Sequence, residues 1–214
     1  MPQTISEREN YLRMLEFRYP QWIPCAIALA PLLWNQYRED LEKIVLAHPR
    51  IFPDYRVEDR DFFDEMPPVY RQGETYRDNW DCLWLNVQSG MEGVVVEHPL
   101  ADWAALESYR MPDPLVDNER GDEKKDWEKN AREVQERKAS GKLASGGGER
   151  LFDRLYFLRG FENLMMDFAD EPPQLCRLIG MLEDYEMRLI NKWIELDVDM
   201  IGFHTDIGTQ KDLM

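Results

Sequence analysis

The chain is poor in cysteine: Cys25, Cys82 and Cys176 are its only three in 214 residues, and no two stand at CxxC spacing. An odd number so widely spaced supports neither a disulfide framework nor a zinc knuckle, and it fits a reducing compartment. No window approaches the ~18 consecutive apolar residues of a membrane span, and the start has no basic segment followed by an apolar run. A cytoplasmic protein is therefore expected. Positive charge is also scarce, with 26 Lys and Arg against 42 Asp and Glu, for a formal net charge of -16. Phosphate backbones and anionic membrane surfaces are bound mainly by Lys and Arg, so neither nucleic acid nor a membrane is an expected partner. GxGxxG, Walker, HExxH and GxSxG patterns are all missing, which leaves no signal for a nucleotide cofactor or a serine nucleophile.

What remains is a globular composition, 43% apolar and 12% aromatic, read as a single domain over 1–214. Apolar runs alternate with helical stripes, the pattern of an α/β fold. Ser6 and Glu9 stand at capping-box spacing before a helix over about 7–17, which Pro20 ends. The apolar run 22–29, interrupted only by Pro24, predicts a strand buried on both faces. Pro31 opens a helix to about 47, with Leu33, Tyr37, Leu41, Ile44 and Val45 along one side. The stretch 52–77 has no clear period, whereas 82–87 and 93–97 flank a glycine-containing turn as a hairpin would. A short helix at 103–109 precedes an insertion over 118–148, made of a charged helix to about 138 and a flexible Gly/Ser loop. A second strand is expected at 151–158, a helix at 159–168, and a long helix from Pro172 and Pro173 to about 196.

The last eighteen residues, DVDMIGFHTDIGTQKDLM, carry the densest chemistry. If they continue as a strand, Ile201, Phe203 and Thr205 share one face, and Gly202, His204 and Asp206 share the other. Polar side chains at the carboxyl end of such a strand are where barrel sites are built. Asp206 and His204 are accordingly candidate catalytic residues, with Gln210 a candidate substrate contact; the alternatives are a helix-capping Asp206 and a hydrogen-bonded core His204. A second cluster, Trp80, Asp81 and Trp84 beside Asp78, is a candidate substrate-binding wall, since indoles with a few polar anchors make small-molecule pockets. Its alternative is that the tryptophans are core and the aspartates form a turn. Arg154, Arg159 and Glu162 are read as structural ion-pair formers.

The run RLYFLRGFENLMMDFADEPPQLCRLIGMLEDYEMRLINKWIELDVDMIGFHTDIGTQ, preceded by PLADWAALESYRMPDP, resembles the uroporphyrinogen decarboxylase superfamily. The resemblance runs from about Ser6 to Met214. It implies the N-terminal part of a (β/α)8 TIM-type barrel, incomplete in this chain, with a helical and hairpin extension. One branch of the superfamily decarboxylates porphyrinogens and has an Arg-Gln-Ala-Gly-Arg segment after its first strand. Here that position reads Ala30, Pro31, Leu32, Leu33, Trp34, Asn35, and no arginine comes before Arg38. The other branch moves methyl groups between a small methylated substrate or thiol and a corrinoid protein, with zinc bound by a His and two Cys of later strands.

The resemblance thus implies a methyltransferase with zinc ligands outside this chain, a corrinoid carried by a partner protein, and no metal ligand among the three cysteines. The alternatives are a porphyrinogen carboxy-lyase and a non-catalytic fragment acting as an oligomerising or binding module. A homo-oligomer would follow from open sheet edges in the last case.

Overall fold

The computed structural model describes residues 5–25, 27–118 and 124–207. It is mixed α/β, and the chain divides into two compact units: 1–76 with 84–94, and 77–83 with 95–214.

In the first unit, α1 (Glu7–Leu15) begins at Ser6, whose hydroxyl accepts the N–H of Glu9 at 3.1 Å. Its fully buried Asn10 reaches outward to the chain that follows. The Asn10 amide donates to the Trp22 carbonyl at 2.8 Å, and its Oδ1 accepts the Gln21 N–H at 2.7 Å. The strand expected at 22–29 does not form: the described residues there are irregular, with Ile23 85% exposed. Pro20 and Pro24 remove ladder donors, and the Asn10 side chain takes the role a neighbouring strand would have played.

Helix α2 (Pro31–Ala47) starts at Pro31 as expected and breaks at Arg38, where φ is +43°. The Arg38 guanidinium pairs with Asp64 at 2.6 Å and lies over the Phe62 ring. On the same helix, buried Glu42 accepts the Tyr55 hydroxyl at 2.6 Å and the Arg60 Nε at 2.8 Å. These bonds, Arg60 first, hold its carboxyl below the ordinary value. Gly90, with φ +78°, lies so close to the Leu32 backbone that a Cβ would come within 2.5 Å of it. Only glycine fits there.

Three short strands, β1 (Thr75–Arg77), β2 (Leu83–Leu85) and β3 (Val94–Glu97), form a sheet in that order. The hairpin expected from 82–87 and 93–97 is present as β2 and β3. Each of the three strands also contains a point at which the chain passes from one unit to the other.

The second unit holds α3 (Trp127–Ala139), β4 (Ser145–Gly147), α4 (Leu151–Arg159), α5 (Phe161–Asp170), α6 (Pro173–Glu195) and β5 (Met200–Gly202). Strands β4 and β5 are parallel, with Gly146 opposite Ile201, and the three helices between them make the crossover. Leu158, Leu164, Leu178, Leu182 and Leu189 form much of its core. Among the described residues no sheet closes into a barrel.

Three expectations need correction here. Residues 151–158 are helical, not a strand: three leucines favour the helix and no β-branched residue is present. The loop expected over 140–148 contains β4; of the charged helix expected from 118, residues 119–123 lie outside the described ones, and the helix described starts at Trp127, where the Asp126 carboxylate accepts the Lys129 N–H at 2.9 Å. Glycine suits β4 because α6 lies on it: a Cβ on Gly146 would come within 2.4 Å of the Trp193 ring, and the Trp193 indole donates to the Gly147 carbonyl at 2.9 Å. Gly146→Ala is therefore expected to cost about 1–3 kcal/mol, read as a lower urea midpoint. A midpoint unchanged from the parent would contradict this packing.

Candidate functional site

The carboxyl ends of β4 and β5 are the natural place to look for a site, since open parallel sheets bind ligands there. The two chains leaving these strands are tied together. The Gly148 N–H donates to the Gly202 carbonyl at 3.0 Å, and a Cβ on Gly148 would meet the Phe203 ring at 2.3 Å and Glu186 Oε1 at 2.1 Å. Glu149 follows, with its N–H donating to Glu186 Oε2 at 2.9 Å. A cleft of about 180 Å³ opens here, between Gly147, Gly148 and Glu149 on one side and Tyr185, Leu189 and Trp193 of α6 on the other.

Strand β5 stops at Gly202, so the alternation expected through Asp206 is not carried by a strand. His204 and Asp206 lie on the irregular segment just beyond it, both exposed, and neither lines the cleft. The Asp206 N–H donates to Asp153 Oδ1 at 3.2 Å. Gln210 lies outside the described residues.

Asp153 itself went unrecognised in the sequence. It sits in the first turn of α4, 2% exposed, and burial raises its carboxyl above the ordinary value. The signal that could have found it is an acidic residue in a helix's first turn, which appears only once 151–158 is read as a helix.

The second cluster resolves into two different roles. Asp78 forms a turn, its Oδ1 accepting the N–H groups of Trp80 at 3.0 Å and Cys82 at 2.8 Å. Trp80 is completely buried, with the Arg154 guanidinium 4.3 Å from its ring and Tyr185 packed at 4.8 Å. Asp81 is exposed at φ +65° and pairs with Arg77 at 3.3 Å. Trp84 is buried in the other unit, stacked on Tyr76 at 5.9 Å. Trp80 and Asp78 thus take the core and turn roles that formed the alternative reading.

Arg154 joins this core. It is 2% exposed and pairs with Asp78 and with Glu149, each at 3.3 Å. Arg159 finds its partner in Asp167 at 2.6 Å rather than in Glu162. Buried Cys82 donates its thiol to the Phe157 carbonyl at 3.4 Å, and burial pushes the thiol up to about 12. Tyr109 donates to the Trp80 carbonyl at 3.0 Å, and burial raises its phenol too. Both stay protonated near neutrality, which suits packing and not nucleophilic work.

Comparison with protein-family models, with curated proteins and with solved structures finds no match to this chain. The functional argument therefore rests on the site's own chemistry. Among the described residues no three His, Cys, Asp or Glu side chains converge as a metal site would require, and a protonated, carbonyl-bonded Cys82 is a poor thiolate ligand. No zinc ligand is assigned to these residues. Among the described residues, no helix is long and apolar enough to cross a membrane.

Proposed function

We propose that this chain supplies part of the site of a uroporphyrinogen-decarboxylase-like enzyme. Its reaction is the transfer of a methyl group between a small methylated substrate or thiol and a corrinoid protein. In this reading β4 and β5 are adjacent strands of a TIM-type barrel, and Asp206 is the site carboxylate with His204 beside it. The observation that supports it most is the placement of Asp206 just past a parallel strand, next to the chain leaving the neighbouring strand. From there an exposed carboxylate can orient a substrate amine or hydroxyl, or accept its proton.

The porphyrinogen alternative needs guanidinium groups for the substrate's carboxylates. Arg38, the first arginine after the position concerned, already directs two of its three guanidinium nitrogens to Asp64, at 2.6 and 3.3 Å. Methyl transfer is the better supported reading.

On the complete protein to which this chain contributes part of the site, the test measures methyl transfer from methylcobalamin to a thiol alongside CO2 release from uroporphyrinogen. Methyl transfer alone is expected, with Asp206→Asn lowering it on the order of 100-fold. CO2 release without methyl transfer would replace this reading with the carboxy-lyase, and an Asp206→Asn variant of full activity would remove Asp206 from the site.

A further inference from the structure

We infer that Asp153 is a positioning residue, whose carboxylate holds the segment carrying His204 and Asp206 against the start of α4. The inference rests on the reading of Asp206 as a site carboxylate.

Strand β5 ends at Gly202, and the parallel ladder ends with the bond from the Gly148 N–H to the Gly202 carbonyl. Past that point backbone pairing no longer fixes 203–207, whose residues are all exposed. Among the described residues, the hydrogen bond that ties this segment down runs from the Asp206 N–H to Asp153 Oδ1 at 3.2 Å, across 53 positions of sequence.

The anchor is rigid. Asp153 lies in the first turn of a helix, is 2% exposed, and is followed on α4 by the buried residues Arg154, Leu155, Phe157 and Leu158. Burying a carboxyl costs free energy unless it is hydrogen-bonded, and here burial raises its pKa. An apolar residue would fill the same place in a packed helix at lower cost. What the carboxyl adds is an acceptor aimed at the Asp206 amide, so that the exposed Asp206 side chain leaves a fixed backbone.

Amide hydrogen exchange on the purified chain tests this without reference to any activity. Asp153→Ala is expected to speed exchange at the Asp206 amide about tenfold, while α6 amides such as Leu182 and Leu189 keep their protection. Asp153→Asn keeps both the volume and an acceptor oxygen and is expected to retain slow exchange, whereas Asp153→Leu, which fills the place without an acceptor, is expected to exchange as fast as Asp153→Ala. Parent-like exchange in Asp153→Ala or in Asp153→Leu, or fast exchange in Asp153→Asn, overturns the inference. If Asp153→Ala loses protection throughout α6, the comparison passes to Asp153→Asn against the parent, where fast exchange at Asp206 overturns it. Absence of methyl transfer by the parent protein would defeat the proposed reaction but leave this exchange result to decide the role of Asp153.

Discussion

Replacing Arg154 with alanine is expected to lower stability by about 3–5 kcal/mol, the usual cost of removing one partner from a buried ion pair. Arg154 is 2% exposed and serves two buried carboxylates at once, Asp78 and Glu149, each at 3.3 Å. The alanine variant takes the cationic partner from both. Its planar group also covers the Trp80 ring at 4.3 Å, a contact worth more away from water. Arg154→Lys would keep the charge but lose the fork and the flat face, so an intermediate loss is expected. Urea denaturation followed by circular dichroism measures both. A loss below about 1 kcal/mol for Arg154→Ala would mean that Asp78 and Glu149 are satisfied without it.

Trp80→Ala is expected to cost a similar amount, about 3–5 kcal/mol, because the indole is wholly buried and its removal leaves a large void. Trp80→Phe is the informative companion. The indole N–H has no hydrogen-bond partner among the described residues, so phenylalanine removes a buried unsatisfied donor while keeping most of the ring. Its expected cost is below about 1.5 kcal/mol. A substrate-lining Trp80 would behave differently, with Trp80→Phe raising KM and leaving the unfolding midpoint alone. Because Trp80 and Arg154 touch, the double alanine variant should depart from additivity by about 0.5–3 kcal/mol.

The parts of the fold legible in the sequence are those fixed by local chemistry. Ser6 as a cap, Pro31 and Pro173 as first helical residues, and the apolar face of α6 all act within a turn or two of themselves. Helix α4 was misread because its apolar residues run almost continuously, with no face left polar. Its polar residues, Asp153, Arg154 and Arg159, are buried among partners up to 76 positions away. Periodicity carries no trace of such partners. Strand β4 was hidden for the opposite reason. Its glycines look like linker until the Trp193 ring is placed on Gly146.

The site divides the same way. Asp206 and His204 stood out from their place after an apolar strand, although the strand ends before either of them. Asp153 did not stand out, since a strand assignment for 151–158 hides its place in the first turn of a helix. The aromatic cluster was visible as a cluster, but its composition alone could not separate a pocket wall from a core. Burial separates them for Trp80, and the exposure of Asp81 separates it from its neighbours.

The path of the chain through β1, β2 and β3 bears on how the protein is made. The first unit takes its residues from 1–76 and again from 84–94, so a ribosome must release residue 94 before that unit has all its parts. Until then its early helices emerge without later partners such as Gly90, whose carbonyl accepts the Leu32 N–H, and stay open to chaperones and to other nascent chains. A single cut can release a fragment that holds one whole unit, 1–94 or 77–214, but never without a piece of the other, because each unit is discontinuous in sequence. Expression trials that trim this chain at one point therefore carry a foreign segment with the unit they keep, 77–83 with the first or 84–94 with the second.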